Sequence, residues 1–130
     1  MKKILVVAFL VIATGCFAGD FVYWGTPGPT KTVYVDNVAK SLQTLYTNAG
    51  GTWVLTDTAG VKRTPSQVFI TCESKATKWG FGGTTPTTTL GHTFTADSSW
   101  HLPGERYIGT AIGISTVVSD NVTCQMTPEY

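Results

Sequence analysis

Two short segments, VFITCE at residues 68–73 and VTCQM at residues 122–126, constrain the chain more than any other feature. In each, apolar and polar residues alternate. Val68, Ile70 and Cys72 share one face of the first; Val122, Cys124 and Met126 share one face of the second. Successive side chains of a strand point to opposite sides, so both segments read as half-buried strands with their thiols on the apolar side. The same alternation marks KTVYVD at 31–36, TKWGFG at 77–82 and RYIGTAIGIS at 106–115. TWVLTDTAGVKR, residues 52–63, reads as a hairpin that turns at Asp57–Gly60. One stretch breaks the period. Val38, Leu42, Leu45 and Tyr46 lie at helical spacing, Asp36 or Asn37 is placed to cap the start, and Gly50-Gly51 ends it. The pattern predicts an all-β fold, a small antiparallel sandwich or barrel-like domain with one short helix near residues 37–48.

Composition fits a sheet that carries little charge. Charged residues are 13% of the 130 and hydrophobic ones 42%, with a net charge of +1. That is too apolar for wholesale disorder and too neutral to attract nucleic acid. The polar face must be built mostly of Thr, Ser, Asn and Gly, and β-branched Thr suits a pleated surface. The stretch GGTTPTTTLGHTFTADSSWHLPG, residues 82–104, then reads as hairpin punctuation between strands. Leu90, His92 and Phe94 alternate with Gly91, Thr93 and Thr95, Asp97-Ser98-Ser99 turns the chain, and Trp100 and Leu102 alternate again. Its expected core positions are Leu90, Phe94, Trp100 and Leu102. Ser119-Asp120-Asn121 reads as the last hairpin turn.

The N-terminus has the form of an export signal. Lys2 and Lys3 precede an apolar run, ILVVAFLVIA at residues 4–13, that is too short to span a bilayer. Residues 1–18 are therefore a signal-like segment and residues 19–130 a single β-rich domain. Cleavage after Ala18 would start the mature chain at Gly19; lipidation at Cys16 is the other route, although Ala13 stands where a lipobox usually has an aliphatic residue. If neither occurs, residues 4–12 form a buried strand or helix. Membrane contact is expected only through this segment, uncleaved or lipidated. Either route of processing uses up or discards Cys16. Cys72 and Cys124 remain, as a disulfide or as two buried thiols.

Reactive residue types are present without a pattern that organises them. His92, His101, Asp97, Ser98 and Ser99 could be assembled into a hydrolase constellation, but no nucleophile elbow positions them. The histidines with Asp97 or Glu105 match no structural zinc spacing, and GFGG at 80–83 lacks the Lys-Ser/Thr start of a phosphate-loop helix. No enzyme, cofactor or metal is expected. Among the tryptophans, Trp79 shares a face with Phe81 and Trp100 with Leu102, as core residues do. Trp24 and Trp53 are less constrained and form the candidate binding surface, able to stack on sugar rings or cover a protein partner.

One further order of residues carries a resemblance. Phe81, Gly82, Gly83, Thr84, Pro86, Thr87, Gly91, His92, Ser98 and Leu102 follow VFITCES and precede VTCQMTPEY. Over about residues 65–130 this layout resembles small structural proteins of tailed phages and prophages. The resemblance implies a compact β-domain attached to the virion as an accessory or decoration. Its partners would be capsid or other virion proteins, or further copies of itself, with no catalytic role. The alternative is an exported bacterial β-sandwich binding module for a carbohydrate or protein ligand, periplasmic or secreted after cleavage near Ala18.

Overall fold

The main strands of this chain form two four-stranded antiparallel sheets. The structure is a computed structural model and describes residues 26–116 and 121–130. In the first sheet the order is β1 (Lys31–Val35), β10 (Val122–Glu129), β5 (Gln67–Cys72), β8 (Ser98–Pro103). In the second it is β2 (Lys40–Ser41), β9 (Ile112–Ser115), β6 (Thr77–Gly80), β7 (His92–Phe94). The two orders match. β1 leads into β2, β9 into β10, β5 into β6 and β7 into β8. All pairings are antiparallel, and the sheets are two halves of one four-stranded ribbon folded across its middle. The expected all-β, sandwich-like class is what the structure has.

Hydrogen bonds stitch the fold line. Ser115 N donates to Asp36 O at 2.8 Å, Glu73 N to Thr123 O at 2.9 Å and Asp97 N to Cys72 O at 2.8 Å. Thr116 Oγ1 donates to Ala76 O at 2.8 Å. Two non-glycine residues take left-handed backbone here, Ser74 at φ 62° and Asp97 at φ 58°. The Asp97 carboxylate accepts from Ser74 N at 3.2 Å, so each secures the other's turn. Short polar side chains that bond locally are the ones that tolerate this conformation. At the β1–β2 bend, Asp36 bonds Lys40 and accepts from Val38 N at 3.0 Å. The Lys40 hydrogen bond holds its carboxyl below the usual carboxylate range.

The core lies inside the fold. Val33, Cys124 and Cys72 stand in one cross-strand row, flanked by Val35 opposite Val122 and Met126 opposite Ile70. Cys72 and Cys124 are joined by a disulfide. From the second sheet comes Trp79, fully buried, its Nε1 donating to Thr77 Oγ1 at 2.8 Å. Its indole lies against Gly113 on the neighbouring strand; a Cβ there would stand 2.7 Å from the ring, so only glycine lets the ring lie flat. Leu42, Leu45 and Tyr46 cover the core from α1 (Leu42–Asn48).

Three local expectations are corrected. The helix starts at Leu42, capped by Ser41 Oγ accepting from Thr44 N at 3.1 Å, and not at Asp36 or Asn37. Residues 36–41 are needed to cross between sheets, which leaves Val38 58% exposed. Within RYIGTAIGIS only β9 is strand; its first part is a second helix, α2 (Glu105–Thr110), entered through Gly104 at φ 85°. Finally, Asp97-Ser98-Ser99 does not turn a hairpin: Ser98 and Ser99 already belong to β8, and β7 and β8 lie in different sheets; Ser119 and Asp120 of the expected last turn lie outside the described residues. Hairpins do join β3 (Leu55–Thr56) to β4 (Lys62–Arg63), around Asp57, and β6 to β7. The signal-like residues 1–18, Cys16 and Trp24 lie outside the described residues.

Two predictions follow from the core. The disulfide closes a separation of 52 residues. On the chain-entropy account such a loop contributes about 4 kcal/mol, so reductant should lower the melting temperature by about 10 °C or more. A melt that is the same with and without reductant would show that the bond contributes nothing. Gly113→Ala should destabilise by about 1–3 kcal/mol through overpacking against Trp79, read as a lower urea midpoint at unchanged slope.

Candidate functional site

Along the β7–β8 edge of the folded ribbon the apolar interior opens to the surface. Here Phe81, His92, Thr93, Phe94, Trp100, Leu102, Pro103 and Tyr107 line a cleft of about 550 Å3. Local geometry explains each wall. Phe94, 3% exposed, stacks on Trp100 with centroids 4.1 Å apart and planes 8° from parallel. Trp79 stacks on the same Phe94 at 5.4 Å, so a column of rings leads from core to cleft. Phe81 stands where the chain leaves β6. The loop after it doubles back so closely that a Cβ on Gly80 would lie 2.0 Å from Thr84 O. Gly82 N donates to Thr110 Oγ1 at 3.0 Å, tying this loop to α2. Across the mouth, Tyr107 of α2 is 58% exposed and meets Phe81 edge-on at 6.2 Å. His92 closes the ring set, 5.6 Å from Phe81.

The cleft lining contains no Lys, Arg, Asp or Glu. Its polar groups are the His92 imidazole, the Thr93 and Tyr107 hydroxyls and the Trp100 indole N–H. The last is buried and has no hydrogen-bond partner among the described residues. An unmet buried donor costs about 1–3 kcal/mol, so one in a cleft wall is a notable feature of this site.

A second surface is the outer face of the first sheet. Thr32, Gln125, Thr71 and Ser99 form one row across all four strands. Thr32 Oγ1 donates to Gln125 Oε1 at 3.1 Å, and hydroxyl pairs join Thr71 to Ser99 at 2.8 Å and Thr30 to Thr127 at 2.7 Å. Tyr34, on the same face, is 57% exposed. None of these residues carries a formal charge.

The residues named from sequence are distributed as follows. Trp53 is 7% exposed and packs edge-on against Tyr46 at 5.9 Å, so its place in an exposed binding surface is corrected: it is core. Leu90 is 56% exposed rather than buried, because Gly91 at φ 123° breaks the alternation and β7 begins only at His92. The imagined hydrolase residues do not converge. His92 is in the second sheet, while His101 lies on the outer face of the first, stacked on Phe69 at 4.3 Å and bonded to Gln67. Asp97 holds the bend, Ser98 Oγ is paired with Thr95 Oγ1 at 2.6 Å, and Ser99 is paired with Thr71. Among the described residues no group of three or more His, Cys, Asp or Glu could hold a metal ion, and no helix is long and apolar enough to cross a membrane. Tyr107 and Phe81 were missed as site residues; Pro103-Gly104 was the available sign that the strand stops before Tyr107.

No family model, curated protein or solved structure matches the chain.

The ring column gives a ranking of variants. Phe94→Ala should cost about 3–5 kcal/mol, as for a buried aromatic. Leu90→Ala, at an exposed position, should stay within about 0.5 kcal/mol. Urea unfolding of the two proteins checks this, and equal costs would contradict the packing described.

Proposed function

We propose that this chain is a non-enzymatic structural accessory of a tailed-phage or prophage particle, attached through protein–protein contact. The observation that carries the reading is the middle of the outer face of the first sheet, where Thr32 with Gln125 and Thr71 with Ser99 bond one another without charge, the Glu129 carboxylate lying at the end of the face opposite Gln67. Interface centres are depleted in charged residues, and a surface whose polar groups are already paired is cheaper to dry than one bearing Lys or Glu. The layout from VFITCES to VTCQMTPEY, similar to that of small virion proteins, supports the same reading. Capsid or other virion proteins, or further copies of this chain, are the partners. Catalysis has no part in it.

A second reading, an exported binding module, is favoured by one specific observation. Cys72 and Cys124 are bonded, and disulfides form and persist chiefly in oxidising compartments. The signal-like residues 1–18 point the same way.

Fractionation of the native source separates the two. Particles purified by density gradient should contain the protein, and Thr71→Lys, which sets a charge in the middle of the face, should reduce its occupancy at unchanged melting temperature. Protein found free in the periplasm or medium, with particle fractions empty, overturns the virion reading in favour of the exported module.

A further inference from the structure

We propose that the aromatic cleft between β7, β8 and α2 is a binding site for a neutral saccharide. It is separate from the outer face of the first sheet and holds whether the domain rides on a particle or is exported. The ligand class follows from what the walls offer. No Lys, Arg, Asp or Glu lines the cleft, and the Lys78 ammonium behind its wall is already engaged by the Thr93 hydroxyl at 2.6 Å. An ionic ligand would therefore lose water without compensation. A purely apolar ligand would fit the rings but give the His92 imidazole and the Tyr107 hydroxyl of the rim nothing to bond.

A pyranose answers both demands in one small ring. Its C–H face packs on aromatic rings while its edge hydroxyls donate and accept. The walls suit that shape. Tyr107 and Phe81 stand at 77° to each other, forming a corner in which a sugar ring contacts one face and one edge. At about 550 Å3 the cleft is within the range of small-ligand sites, and its openness to solvent lets a longer chain run on past the bound residue. Trp100 supplies an independent sign: its indole N–H is a donor that the fold leaves unpaired at this wall. Because that atom is buried, affinity rests first on Tyr107 and Phe81.

The test is an NMR titration of the isotopically labelled full chain. The probes are neutral hexasaccharides of glucose, mannose, galactose, xylose and N-acetylglucosamine at millimolar concentration. Saturable shifts are expected at Tyr107, His92 and the Trp100 indole N–H for at least one of them. Tyr107→Ala should weaken that binding about tenfold, corresponding to the loss of about 1.4 kcal/mol. Its melting temperature should not change, since Tyr107 is 58% exposed. Phe81→Ala is the second variant, and Tyr107→Ala alone suffices if Phe81→Ala fails to fold. The proposal is overturned if no neutral hexasaccharide gives saturable shifts, if Tyr107→Ala binds as the parent does, or if hexagalacturonate or a proline-rich peptide binds more tightly than every neutral sugar.

Discussion

The bond between Cys72 and Cys124 stands beside the line on which the whole structure folds. Cys72 is the last residue of β5, and the next residues carry the chain into the second sheet. Cys124 lies opposite it on β10, which has just arrived from that sheet. The covalent link thus clamps two of the four long strands where they bend. Asp97 secures the third by bonding Cys72 O, and Asp36 the fourth by accepting from Ser115. Without such fixation a four-stranded ribbon this narrow would have two apolar half-faces and no fixed angle between them. Folding it in half buries one against the other, and Trp79 fills the space between.

A folded ribbon has two lateral edges, and the chain treats them differently. At the β1–β2 edge, α1 packs over the core with Leu42, Leu45 and Tyr46, and the Tyr46 hydroxyl donates to Pro29 O at 2.5 Å. At the β7–β8 edge, α2 is a shorter cover with only Ile108 buried. The column Trp79–Phe94–Trp100 therefore reaches daylight on that side alone of the two. Unpaired strand edges invite association. This one is blunted by a three-residue β7 and by Pro103 at the end of β8, so what remains open is side-chain surface more than backbone. That is why the edge reads as a ligand cleft and not as a site for another strand.

Strand content was legible because alternation is local. Each inward row of the first sheet, Val68, Ile70, Cys72 and Val122, Cys124, Met126, was visible as period two in the sequence. Sheet membership was not legible. A bend between sheets and a hairpin both use turn residues, and residues 95–97 could serve as either; what decides is which strand accepts the next hydrogen bonds. The cysteine pairing was an open alternative for the same reason, since only the β10–β5 register sets the two thiols opposite each other. Trp53 went the other way, into the core, because the chain after α1 turns back over Tyr46. The cleft was invisible in advance because Tyr107 reaches it only once Gly104 starts a helix inside what alternation marked as strand.

The near absence of charge connects these observations. With 13% charged residues, this chain makes little use of ion pairs at its surface; Lys40 with Asp36 and Arg63 with Asp57 are among them, each tying a local turn. Surface order comes instead from hydroxyl and amide pairs that span neighbouring strands. Such pairs are insensitive to salt, unlike exposed charges. They also leave a face that another neutral surface can approach without paying to strip hydration from ions. The same economy in charge extends to the cleft, where rings set the shape and a few neutral polar groups line the rim. On the readings proposed above, two surfaces of low charge on one small domain, one on a sheet face and one a cleft, would let one partner hold it while the cleft faces another.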